Sequence, residues 1–187
     1  MKTSIMFCLL GILWFGCSHS SVGPNPNLTA NTAKYKLPEV NSLAQSYGKG
    51  LRLMLASSEN VNPDGTSDTW SFQYSDTSMS PESYWFHCKS NVVGFDSTSP
   101  TGVGTGFIDN RSWFNSDSAL GIAERNGGSQ FRAQNPRYTI VASVGIPVVP
   151  NPTTQWYIAY QSTENPATRL LMWIDANTGQ VNIGNTK

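Results

Sequence analysis

Charge is scarce in this sequence. Only 13% of its 187 residues are Asp, Glu, Lys or Arg, and the twelve basic residues balance the twelve acidic ones. Such a composition supplies no basic stripe, which argues against nucleic acid or anionic lipid as a partner recognised by charge. Serine, threonine, asparagine and glycine fill the polar positions instead. Histidine is limited to His19 and His87, and cysteine to Cys8, Cys17 and Cys88. With no H-x-x-x-H pair and no cysteine cluster, a zinc set has no ligands to draw on. G-x-S-x-G, a P-loop and paired carboxylates are also absent, and any dispersed triad would have to use His87. The chain therefore reads as non-enzymatic and free of cofactors. The longest apolar run, Ile5–Phe15, has eleven residues broken only by Gly11. That is too short for a helix to span a ~30 Å hydrocarbon core.

What that run does fit is a secretory signal. Lys2 precedes it and the small residue Gly16 ends it, ahead of Cys17 and Ser18. Trp14-Phe15-Gly16-Cys17 resembles a bacterial lipobox, with Trp14 where such boxes usually carry Leu. The resemblance implies that residues 1–16 are removed and that Cys17 is lipidated as the mature N-terminus. The rival reading is ordinary cleavage after Ser18-His19-Ser20. On the lipobox reading the protein is expected in the bacterial cell envelope. Ser18 after the cysteine resembles the sorting context for the outer membrane, facing periplasm or cell surface. Residues 17–37 are polar, contain Pro24 and Pro26, and read as a flexible tether.

Without Cys8, and with Cys17 acylated, Cys88 has no disulfide partner. Strand alternation over Tyr84-Trp85-Phe86-His87-Cys88 places the thiol with Tyr84 and Phe86, as a small buried hydrophobe. His87 falls on the opposite face, so the thiol lacks an activating base.

Beyond the tether two similar stretches follow one another. Trp70-Ser71-Phe72-Gln73-Tyr74, Tyr84-Trp85-Phe86 and Val92–Asp96 are matched by Trp156-Tyr157-Ile158-Ala159-Tyr160, Leu170–Ile174 and Gly179–Ile183. Each set is preceded by an apolar strand, Leu51–Leu55 or Tyr138–Ala142. Ahead of each strand lies a helical candidate. Pro38–Tyr47 carries Val40, Leu43, Ala44 and Tyr47 on one stripe. Ser116–Asn126 buries Ala119, Leu120, Ile122 and Ala123, and Gly127-Gly128 is its expected stop. W-x-[FI]-x-Y alternation describes a sheet dry on one face and wet on the other. The expected class is α+β: two repeated helix-plus-antiparallel-sheet units, 38–97 and 116–187, joined by a loop at 98–115.

The second stretch runs from Ser116-Asp117-Ser118-Ala119 through Trp156–Tyr160 to Met172-Trp173-Ile174-Asp175-Ala176-Asn177-Thr178-Gly179-Gln180-Val181. Over residues 116–183 it resembles a PepSY-type repeat, with its acidic/alanine helix, Trp-to-Tyr strand and D-A-x-T-G turn. Residues 38–97 match in outline only. Tandem units of this kind resemble the fold of bacterial β-lactamase inhibitor proteins. The family implies extracytoplasmic modules that bind or restrain other proteins, and it implies no catalytic residues.

Two candidate sites remain. Asn60–Asp68 places oxygen ligands at positions 1, 3, 5 and 9 of a calcium-type loop and Gly65 at 6. Ser71 occupies position 12, where a bidentate carboxylate is needed. An Asn62-Pro63-Asp64-Gly65 β-turn accounts for the same residues. Trp85 and His87, and separately Trp173, alternate away from their apolar strand neighbours and form the candidate binding surface. The loop 97–115, whose Phe107, Ile108, Trp113 and Phe114 also need burial, is the expected cover for that face. The favoured function is docking of an envelope protein or peptide. The alternative is binding of a carbohydrate or envelope polymer by stacking on Trp85 and Trp173.

Overall fold

The computed structural model describes residues 28–76, 82–100, 106–147 and 152–186. The signal segment 1–16, Cys17 and the tether up to residue 27 lie outside the described residues.

Period-two alternation of apolar and polar residues makes eight strands. They are β1 (Arg52–Ser58), β2 (Thr69–Ser75), β3 (Glu82–Lys89), β4 (Val92–Pro100), β5 (Tyr138–Gly145), β6 (Gln155–Ser162), β7 (Arg169–Asp175) and β8 (Val181–Thr186). All eight join in one antiparallel sheet of order β4-β3-β2-β1-β5-β6-β7-β8. This overturns the expected α+β pair of helix-plus-sheet units. The class is mainly β, because β1 and β5 pair along Leu55–Ser58 and Gly145–Ala142 and make the two stretches one sheet. Unjoined, those strands would leave rows of backbone N–H and C=O groups at two internal edges; pairing satisfies them. The join also merges the hydrophobic cores. Trp70 of β2 and Trp156 of β6, both buried, meet edge to face with ring centroids 6.3 Å apart.

Helical structure is short and lies on the dry face. α1 (Leu37–Tyr47) carries a proline in its first turn and buries Leu37, Val40 and Ala44. α2 (Ser116–Ala123) buries Ala119, Leu120 and Ala123, while Ile122 is only partly covered. The expected stop is there: helical dihedrals are lost at Asn126 and Gly127. A wide turn at Glu124–Gly128, with Gly127 at φ 120°, kinks the chain, and helix resumes as α3 (Ser129–Gln134). The kink brings Phe131 of α3 onto Tyr160, 6.0 Å between centroids, and lets Tyr160 donate to Glu124 Oε1 at 2.9 Å. Among the described residues no helix is long and apolar enough to cross a membrane.

Three boundaries differ from the sequence reading. Residues 29–36, read as tether, are packed: Ala33 is fully buried and its N–H donates to Ser116 Oγ at 3.0 Å. β4 continues through Ser97–Pro100 into the stretch read as a linker, since Glu82–Trp85 of β3 supply it with partners. Ile108, Trp113 and Phe114 pack on the helix side rather than over Trp85 and Trp173, while Gly106 lies beside Ile146 and Phe107 under Arg52. On the helix side Ile108 bonds Leu53, Phe114 bonds Ala176, and Trp113 lies 5.7 Å from Trp156.

Cys88 is buried on the dry face of β3, and burial pushes its thiol pKa up. Cys88→Ser is expected to cost ~1–3 kcal/mol, because a hydroxyl is left without a partner. Cys88→Ala should cost less. Urea melts of the two variants check the order, and thiol labelling of native protein as fast as in denaturant would contradict the burial.

Candidate functional site

The wet face of the sheet has no helix on it among the described residues. Register places its side chains in rows that cross the strands. One row runs His87, Ser71, Ser57, Ser143, Tyr157, Trp173 and Asn182, each directly paired with the next. The neighbouring row runs Trp85, Gln73, Leu55, Gly145, Gln155 and Asp175. All three residues expected on a binding surface thus share this face, and Trp85, His87 and Trp173 are all half-buried. They do not form one cluster. Trp85 on β3 and Trp173 on β7 stand five strand steps apart, about 24 Å at ~4.8 Å per step, so they cannot sandwich one sugar ring.

His87 is ordered by a bulge. The β3–β4 register slips between Trp85/Ser97 and Phe86/Phe95, which leaves Asp96 as the extra residue. The bulge aims Asp96 Oδ1 at His87 Nδ1, 2.5 Å away, as bulges often re-aim a side chain. The imidazole leans over Gly94, where a Cβ would come within 2.7 Å of Nε2. Ser71, His87 and Asp96 therefore form a row across three strands, yet no hydrogen bond joins Ser71 to His87 among the described residues. Asp96 has no sequence signal as a partner for His87, since the bulge arises only when β3 and β4 pair.

Trp173 is placed in a similar way. Its ring lies on Gly184 of the edge strand, where a Cβ would come within 2.7 Å of the indole, and against Tyr157 at 5.6 Å. Together with Leu55, Ile146 and Pro147 these two aromatics line an apolar groove of about 190 Å³. Tyr157 and Leu55 escaped the sequence reading. Each is the polar-side neighbour of core residues, and only register shows that they meet.

At the other half of the face lies a polar cleft of about 750 Å³. Its floor is Ser57, Ser71 and Trp85, and its wall is the β1–β2 connection at Glu59, Asn60 and Asp68. This connection is the calcium-type loop of the sequence reading, and its donors diverge. Asp64 Oδ1 accepts from the Thr66 N–H at 3.0 Å and hydroxyl at 2.7 Å, bonds that hold its carboxyl below the ordinary value. Asn62–Gly65 closes as the expected turn, with Gly65 N–H to Asn62 O at 2.9 Å. Asp68 and Asn60 face the cleft instead. Among the described residues no three His, Cys, Asp or Glu side chains converge on one point.

The geometry is that of a one-sided sheet offering an aromatic groove and a polar cleft. Comparison with family models, curated proteins and solved structures returned no match for this chain.

Proposed function

We propose that this chain is a non-catalytic binding module that docks a protein partner on the open face of its sheet, held at a membrane by lipid on Cys17. The observation that carries the reading is the chemistry of that face. Its two central rows hold Trp85, Tyr157, Trp173 and Leu55 among serines and glutamines, with carboxylates confined to the rim and to the His87–Asp96 pair. Enrichment in Trp and Tyr with depletion of charge marks the core of protein interfaces. The size also agrees. Eight strands of about seven residues span roughly 34 Å by 24 Å, about 800 Å², which one partner contributes to a standard interface. Ring positions are pre-set by Gly184 and by the Tyr157–Trp173 contact, which lowers the ordering cost of binding. The PepSY-type resemblance of residues 116–183 supports the same kind of function, since that family implies binders rather than catalysts.

Ser143 sits at the middle of the central row, half-buried and without bulk. Ser143→Glu should leave the thermal melt within error of wild type while weakening partner capture from envelope extracts about thirtyfold, the scale of a ~2 kcal/mol hot spot. Gln130→Glu on the helix side should leave capture unchanged. A partner retained by Ser143→Glu but lost with Gln130→Glu would move the interface to the other side of the molecule. The anchor is checked separately by metabolic labelling with a palmitate analogue. Label is expected on wild type and absent from Cys17→Ala, because stable anchoring takes two or more acyl chains. No label on wild type, or label surviving Cys17→Ala, would refute the anchor.

A further inference from the structure

The cleft beside Trp85 differs in chemistry from the aromatic groove. We propose that it is a saccharide site, taking a neutral pyranose whose C–H face lies on the Trp85 indole and whose hydroxyls meet Glu59, Asn60 and Asp68. Its volume of about 750 Å³ falls within the range of ~300–1,000 Å³ usual for small-ligand sites. The indole N–H donates to Ser99 Oγ at 3.1 Å, so what Trp85 presents to the cleft is ring surface rather than a donor. The side chains of Ser57, Glu59, Asn60, Asp68 and Ser71 make no hydrogen bond among the described residues. Two carboxylates accept, an amide does both, and two hydroxyls do both, which is the complement of a ring of hydroxyl groups.

The wall is also built in advance. The Ser67 hydroxyl, in a buried residue, donates to Asn60 O at 2.8 Å and lies 2.8 Å from Ser58 Oγ. Asn62 N–H reaches Thr66 O at 2.8 Å, and Ser116 Oγ holds Gly65 O at 2.7 Å from α2. A loop fixed in this way loses little freedom on binding. Glu59 and Asp68 disfavour a phosphate or sulfated ligand, and the polar lining disfavours a purely apolar one. The cleft shares Trp85, Ser57 and Ser71 with the docking face but lies apart from the Tyr157–Trp173 groove on β6 and β7.

The test is a titration of the full chain, followed by amide and indole ¹H–¹⁵N signals, with maltotriose, cellotriose and chitotriose, and with spermidine as cationic control. At least one neutral trisaccharide is expected to shift the Trp85 indole and Asn60 signals saturably at millimolar concentration. Trp85→Ala and Asp68→Asn should each weaken that binding about tenfold, whereas Tyr157→Ala should leave it unchanged. Asp68→Asn removes a charge from an exposed position, so its result stands even if Trp85→Ala is unstable. Saturable shifts with spermidine alone, no saturable shift with any trisaccharide, or equal loss with Tyr157→Ala would each overturn the assignment.

Discussion

Trp156→Ala is expected to remove about 4 kcal/mol of stability, a large share of the ~5–15 kcal/mol available to a domain of this size. Trp156 is fully buried, and its ring touches Trp70 at 6.3 Å and Trp113 at 5.7 Å. It therefore sits where β1 and β5 join the two ends of the sheet, and truncation opens a cavity that aromatics on both sides cannot close. Its indole N–H also donates to Phe114 O at 3.0 Å. Truncation orphans that carbonyl and frees the segment that Phe114 N–H pins to Ala176 O. Trp156→Phe keeps most of the apolar area and loses only the donor, so its cost should be nearer ~1–2 kcal/mol. Urea unfolding followed by far-UV circular dichroism checks both values. A loss below ~2 kcal/mol for the alanine variant would mean that packing across the join contributes little.

Gly65→Ala should be nearly as damaging, for a different reason. Gly65 has φ +84°, and a Cβ there would stand 2.4 Å from both N and Cα of Asp117 and 2.5 Å from the Ser116 carbonyl carbon. These are backbone atoms at the start of α2, so no side-chain rotation relieves the clash. The expected cost is ~3 kcal/mol, from overpacking and left-handed strain together. Moving the turn would also break the Ser116 Oγ to Gly65 O bond, and Ser116 Oγ accepts from Ala33 N–H as well. Three separate segments lose their common anchor. Gly50→Ala supplies the comparison: φ is +90° there too, but nothing lies within 4 Å of the added Cβ. It should cost only the ~1–2 kcal/mol of left-handed backbone. Equal losses for the two variants would show that strain, not the contact with α2, governs Gly65.

Much of the local structure was legible in the sequence. The alternation in Trp70–Tyr74 and Trp156–Tyr160, the Asn62–Gly65 turn and the proline-led start of α1 each follow from a few adjacent residues. Side-chain period and turn chemistry are short-range, so a strand announces which face is dry before its neighbours are known. The assignment of Trp85, His87 and Trp173 to the wet face came from that period alone. Long-range pairing was not legible. Leu55–Ser58 and Gly145–Ala142 carry no mark that they will meet, yet their pairing turns two expected α+β units into one mainly β sheet. The same holds for the Asp96 bulge, for the seating of Trp173 on Gly184, and for the packing of Ile108, Trp113 and Phe114 on the helix side. Register and layer order depend on contacts between residues tens of positions apart, and a periodic pattern states only that an apolar face must be covered, not by what.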